Sequence, residues 1–270
     1  MLSPLHLEMN SGAIKLRRVS AFRRPSFGSA TGGTAEPVYD KLVELHEAGE
    51  FDATNMVGFQ MDEYVVQVAD DLRTGVNIDP SHPQSYRYYL RNRFYDRVGA
   101  SSDRWFVPDA ANPGDYERQI ARTEGGAIDI QLAGIGSDGH VAFCESGCDP
   151  DLLTHIEKLH PGTIRDNARF FDDPEDVPRY AITMGVATLL KYTNEFVLLA
   201  FGENKANAVF RALERTPCRD VPASWLQYHQ ACSSQNVVFV LDAAAASLLT
   251  PKTRTITLSD AMRMMPSLVA

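Results

Sequence analysis

The chain has 270 residues, 44% hydrophobic and 23% charged, and its 26 Lys and Arg against 35 Asp and Glu leave a formal net charge of −9. Apolar residues are too plentiful for a wholly disordered chain, and no run approaches the roughly 20 apolar residues of a membrane-spanning helix. The acidic balance argues against wrapping a nucleic-acid backbone, but it leaves room for a local basic pocket that takes a small phosphate.

Residues 1–30 stand apart. They carry Lys15, Arg17, Arg18, Arg23 and Arg24 without a sustained apolar run, and read as an atypical basic leader, either disordered or a damaged first element. Apolar residues between Met1 and Ile14 are broken by His6, Glu8 and Asn10, with the basic cluster after them, so the segment does not read as an export signal and the expected location is the cytoplasm. Residues 31–270 read as a single domain. It opens on a turn, Thr31-Gly32-Gly33-Thr34, and a helix in which Val38, Leu42 and Leu45 share a face, ending near Gly49.

Short apolar runs follow at Met56–Phe59, Ile128–Ile135, Phe196–Phe201 and Val237–Leu241. Helical stretches fall at Tyr86–Val98, Val186–Tyr192, Lys205–Leu213 and Ala223–Gln230. Near-continuous apolar strands alternating with amphipathic helices predict an α/β fold with a parallel sheet covered on both faces. In such sheets ligands sit beyond the carboxyl ends of the strands, which directs attention to the polar residues placed there.

Four strand-end clusters stand out. Thr31–Thr34 offers glycines and a helix start that suit an anion, or is only a turn. Asp62 and Glu63 are adjacent carboxylates whose side chains point apart in extended backbone. One of them faces the cleft as a base and the other pairs elsewhere, unless both belong to a solvated loop. Gly134, Gly136 and Gly139 match the dinucleotide pattern G-x-G-x-x-G, yet Asp138 and His140 occupy the loop where a helix should begin, and the match is set aside. Asp138, His140 and Glu145 instead place two carboxylates around an imidazole, which orients the ring and raises its basicity. Arg165 and Lys205, the latter at a strand-to-helix junction, are either phosphate ligands or surface cations. Cys144 and Cys148 read C-x3-C near His140, but no second ligand pair follows at zinc-finger spacing, and the four cysteines (with Cys218 and Cys232) are too scattered for a disulfide framework. Neither a metal nor a cofactor is expected.

These clusters closely resemble the glucosamine-6-phosphate deaminase (isomerase) family from residue 31 to about residue 250. The carrying segments are ATGGT (30–34), MDEYV (61–65), HPQSYRYYLRNRFYDRV (82–98), GIGSDGHVAF (134–143), RFFDD (169–173), VPRYAITMGVATLL (177–190), FGENKA (201–206) and SWLQYH (224–229). The resemblance implies a Rossmann-like three-layer fold and a metal-free conversion of glucosamine 6-phosphate to fructose 6-phosphate and ammonia. It implies Asp62 as the base that moves the proton between C2 and C1, and His140 as the ring-opening residue with Asp138 and Glu145 as its partners. Thr31, Gly32, Gly33, Thr34, Arg165 and Lys205 match the positions that hold the phosphate. The implied partner is a phosphosugar, with neither nucleic acid nor membrane; members occur as monomers and as larger assemblies, so a homo-oligomer stays open.

The chain departs from the family in three places. The strand and helix that normally precede the glycine loop look shortened or missing. Cys144-Glu145-Ser146 stands where Asn-Glu-Pro is usual. His155 and Glu157 occupy positions that are basic in members activated by N-acetylglucosamine 6-phosphate, so no activation by that ligand is expected. Two further readings compete: a relative acting on another hexosamine phosphate or a lactone, and a phosphosugar-binding protein without turnover.

Overall fold

Alternation along one strand sets the layers of the molecule. In Thr193–Ala200 the side chains of Phe196, Leu198 and Ala200 enter one apolar cluster and those of Val197 and Leu199 enter another, on the opposite face. The first cluster takes Ile120, Leu189, Val209 and Ala212 from helices, and the second takes Tyr39, Leu42 and Phe94. A sheet is therefore packed between two helical layers, and each fully buried Leu or Phe contributes roughly 1.5–3 kcal/mol.

The computed structural model describes residues 5–10, 13–18, 24–228 and 236–254. Strands β1 (Leu5–Asn10) and β2 (Ala13–Arg18) pair antiparallel with each other. The main sheet contains β3 (Ser26–Ser29), β4 (Val57–Gln60), β7 (Trp105–Phe106), β8 (Ile128–Gly134), β11 (Thr193–Ala200) and β12 (Asn236–Leu241). Its spatial order is β12-β11-β8-β3-β4-β7, with every neighbouring pair parallel. A second sheet of β5 (Asp62–Val68), β6 (Gly75–Asn77), β9 (His155–Lys158) and β10 (Tyr180–Thr183) runs in the order β6-β5-β10-β9 and is antiparallel. Between strands lie α1 (Glu36–Glu47), α2 (Tyr86–Leu90), α3 (Tyr116–Ala121), α4 (Pro161–Asn167), α5 (Val186–Lys191) and α6 (Ala206–Glu214). The helix expected at Tyr86–Val98 is α2 continued by a wider π-type turn over Arg91–Tyr95.

The first strand is short but present, and it lies within the segment read as a leader. Four buried residues, Ser26-Phe27-Gly28-Ser29, form β3 in the middle of the sheet, between β8 and β4. Only one of them is a large apolar residue, so an apolar run could not reveal the strand. Hydrogen bonds hold it instead. The Ser26 amide and hydroxyl donate to Oδ2 of Asp129 at 2.8 and 3.1 Å, and the Ser29 hydroxyl donates to the Phe59 carbonyl at 3.3 Å. Gly28 leaves the space that the Gln131 side chain fills. Any helix preceding this strand would fall on residues that lie partly outside the described ones.

The connection β3-α1-β4 runs to one side of β3, whereas β8 lies on its other side and is followed outward by β11. Chain direction thus diverges between β3 and β8. At such a switch point the loops leaving the two carboxyl ends splay apart and open a crevice.

Candidate active site

A cavity of about 250 Å³ occupies that crevice, lined by the loops after β3 and β8, by Met61 and Asp62, and by one side of α4. The first loop is positioned from α1. The Tyr39 hydroxyl is fully buried, donates to the Ala30 carbonyl at 2.5 Å and accepts from the Ala30 amide at 3.1 Å, which pins the backbone where Thr31–Thr34 begins. Gly32 has φ 103°, a left-handed conformation that favours glycine, and its carbonyl accepts from the Ala35 amide at 3.0 Å. All four residues Thr31–Thr34 line the cavity just before α1, whose N-terminal dipole favours an anion.

Asp62 and Glu63 separate as extended backbone requires. Asp62 lines the cavity, and its carboxyl is pushed up to about 8 by burial, with the neighbouring Glu63 charge adding and His140 opposing. Glu63 turns inward beneath the start of α2. Its oxygens accept from the amides of Tyr64, Tyr86 and Arg87, each at 2.9 Å, and from the Ser85 hydroxyl at 2.9 Å. The Asp62 carboxyl, by contrast, lacks such donors among the described residues.

The loop after β8 closes on itself through Gly136 N–H to His140 O at 2.9 Å and Gly139 N–H to Gly136 O at 3.1 Å. Nδ1 of His140 lies 2.8 Å from Oδ1 of Asp138 and 3.9 Å from Oε2 of Glu145. Gly136 packs directly against this pair, and a Cβ there would overlap both the imidazole and the Asp138 carboxylate. Burial works against the imidazolium, yet the Asp138 and Glu145 charges outweigh it and raise the His140 pKa. The same contact holds Asp138 well below the ordinary carboxylate range. Glu145 is fixed from its other oxygen, which accepts from the Thr163 hydroxyl at 2.7 Å and the His160 amide at 3.1 Å. Its Oε2 is buried, lacks a hydrogen-bond partner among the described residues and faces the imidazole. One ligand atom from each of Asp138, His140 and Glu145 lies within 4.8 Å of the others, a spacing that could also hold a cation.

Lys205 reaches the cavity from the start of α6. Burial lowers its pKa, with Asp138 and Asp166 opposing and the Arg169 charge reinforcing the shift. Arg165 in α4 and Arg169 just after it are both exposed, and of the two only Arg169 lines the cavity. The structure thus brings Thr31–Thr34, Asp62, His140 and Lys205 to one cavity with Asp138 and Glu145 supporting the imidazole, and it leaves Arg165 outside the lining. Tyr39, Thr163 and Arg169 escaped the sequence reading, although Arg169 lies in the segment RFFDD (169–173) singled out there.

A family model described as glucosamine-6-phosphate isomerases/6-phosphogluconolactonase matches residues 23–238. The glucosamine-6-phosphate deaminase of Rhodopirellula baltica is 43% identical over 235 residues, covering 84% of this chain and 86% of the relative. Glucosamine-6-phosphate deaminase 2 of Bacillus subtilis is 36% identical over 246 residues, covering 88% and 92%. Among solved structures, a monomeric glucosamine-6-phosphate deaminase matches with a TM-score of 0.68 and 35% identity, over 83% of this chain and 88% of that one. The 6-phosphogluconolactonase of Thermotoga maritima shares the fold, with a TM-score of 0.58 at 23% identity over 82% and 87%.

Proposed function

The chain belongs to the family of glucosamine-6-phosphate isomerases and 6-phosphogluconolactonases, and within it we propose that it is a glucosamine-6-phosphate deaminase. The observation that carries this reading is the buried Asp62 carboxyl in the cavity lining, its pKa pushed up to about 8 by burial. A group poised there can both take and return a proton, which moving hydrogen from C2 to C1 requires and lactone hydrolysis does not.

The phosphate rests on the Thr31–Thr34 amides at the start of α1, with Lys205 neutralising its charge. That anchor holds the sugar while the bonds that change lie several atoms away. His140 moves a proton between the anomeric hydroxyl and the ring oxygen, opening the pyranose to the aldehyde. Asp138 and Glu145 hold the imidazole and stabilise its charged form. Asp62 takes the C2 proton to give an enolamine and returns it to C1. The resulting C2 imine adds water, expels ammonia and leaves the ketone of fructose 6-phosphate. The substrate ammonium beside Asp62 lowers its pKa on binding and so generates the basic form in the complex.

In this reading Asp138, His140 and Glu145 act on protons rather than as metal ligands. Treatment with a chelator therefore leaves the rate unchanged, and loss of rate restored by one added divalent ion would reverse the assignment. The cytoplasm is the proposed place of action; among the described residues no helix is long and apolar enough to cross a membrane.

The test is incubation with glucosamine 6-phosphate, reading ammonia and fructose 6-phosphate. Equal release of both products is expected. A folded protein that binds fructose 6-phosphate but releases neither product would favour the binding-only alternative.

A further inference from the structure

Glu145 is bracketed by two thiols that the proposed reaction does not use. Cys144 precedes it and is fully buried, its Sγ donating to the Met184 carbonyl at 3.4 Å. Cys148 follows after a tight turn closed by its own amide, which donates to the Glu145 carbonyl at 3.0 Å. Gly147 in that turn takes φ 94° and lets the chain reverse sharply. The reversal turns Cys148 back toward Cys144, and each thiol shifts the acidity of the other. Cys148 is half-buried whereas Cys144 is sealed. Neither thiol joins a group of three potential metal ligands among the described residues.

We propose that Cys144 and Cys148 form a dithiol that a peroxide oxidises to a disulfide, and that the bond shifts Glu145 and slows the enzyme. The half-buried Cys148 meets the oxidant first. Its sulfur attacks one peroxide oxygen, the O–O bond breaks, and Cys148 becomes a sulfenic acid as the peroxide is reduced to an alcohol or water. The Cys144 sulfur then attacks the Cys148 sulfur, forming the S–S bond and expelling the hydroxyl, which leaves as water with the Cys144 proton. The neighbouring Cys144 lowers the Cys148 pKa, with the His155 charge acting in the same direction and burial and the Glu157 charge opposing, which favours the nucleophilic thiolate.

The consequence follows from what surrounds the pair. Forming the bond takes Cys144 Sγ away from the Met184 carbonyl and tightens the Glu145–Cys148 turn. It also strains the Val141–Cys144 turn, where Ala142 already sits at φ 54° beside the cavity. Glu145 stands between the two changes, with one oxygen fixed by Thr163 and the other facing His140. A displacement of even 1 Å there costs on the order of 10²-fold when a proton-transfer group must be aligned.

The rate effect rests on the deaminase reading, but thiol chemistry does not, so each can fail separately. The reduced full-length protein is treated with hydrogen peroxide, and its thiols are counted after denaturation. Of the four cysteines, two should be lost, with a peptide mapping to a Cys144–Cys148 bridge. The deaminase rate should fall on the order of tenfold or more and return on reduction with a dithiol, while Cys148→Ser keeps its rate through peroxide. Cys148→Ser is the working variant because Cys144 is packed in the interior and its replacement risks the fold. The proposal is overturned if all four thiols persist, if the bridge maps to Cys218 or Cys232, if the rate of Cys148→Ser falls equally, or if the bridge forms without any change in rate.

Discussion

Asp62 and Glu63 are neighbours on one strand, yet one carboxyl stands at the cavity with its pKa raised to about 8 while the other is buried beneath the start of α2 among four donors within 2.9 Å. The period of two along a strand is what sends them to opposite sides. The difference in solvation does the rest. Glu63 organises the helix that carries Tyr86 to the cavity, and Asp62 is left free to exchange a proton.

Replacing Asp62 should therefore trade stability against activity. Asp62→Asn is expected to lower kcat by about 10²–10⁴-fold, the usual worth of a positioned base. In the native protein the carboxyl is protonated up to about pH 8, whereas an unfolded chain sheds that proton near the ordinary value of 3.8. Stability is therefore lost as pH rises through this window and levels off above it. The amide has no charge to bury, so Asp62→Asn should melt higher than the wild type, with a gap that widens between about pH 4 and about pH 8. A gap that narrows with rising pH would show that the site favours the charged carboxylate.

The pair His140–Asp138 makes a different prediction. Asp138 raises the imidazole pKa across a 2.8 Å contact and outweighs the effect of burial. The stability this gives is complete below the ordinary histidine value and is lost as pH rises through the raised one. Asp138→Asn should move the kinetic limb assigned to His140 toward lower pH and reduce kcat by about 10²-fold, with a smaller effect on KM. An unchanged pH profile would place Asp138 outside the proton path.

At the Lys205 side, where the proposed reading puts the phosphate, the cavity separates two arginines that sequence alone could not. Lys205→Met should raise KM for glucosamine 6-phosphate on the order of 10–100-fold, the loss of one charged hydrogen bond to the substrate. Arg169, which lines the cavity, should matter more than Arg165, which does not. A larger KM effect for Arg165→Met than for Arg169→Met would require α4 to turn toward the ligand on binding.

The parts legible in the sequence were those written as apolar runs and glycine punctuation. The runs at Ile128–Ile135 and Phe196–Phe201 became β8 and β11, and the loops that follow their neighbours carry the site. What escaped was held by other forces. Ser26–Ser29 is a central strand anchored through Asp129 and a missing Cβ, a pattern with no apolar signature. The second sheet escaped because it is antiparallel, and because β5 begins at the motif read as a strand-end loop. Tyr39 acts through a hydroxyl on a helix face that otherwise reads as plain core.

On the edge strand β9, His155 Nε2 lies 3.1 Å from Oε2 of Glu157, the two positions at which the sequence resemblance implies basic residues in activated members. Burial disfavours the charged imidazole, but Glu157 overcomes it and raises the His155 pKa. The histidine is thus already committed to a carboxylate, and the carboxylate itself repels an incoming phosphate. Added N-acetylglucosamine 6-phosphate should therefore leave the rate curve for glucosamine 6-phosphate unchanged at every substrate concentration. A shift from sigmoidal to hyperbolic kinetics would mean that another surface binds the activator. Replacing Glu157 by Lys should free His155 and supply a cation, so weak binding of the same ligand, read by calorimetry, is expected only in that variant.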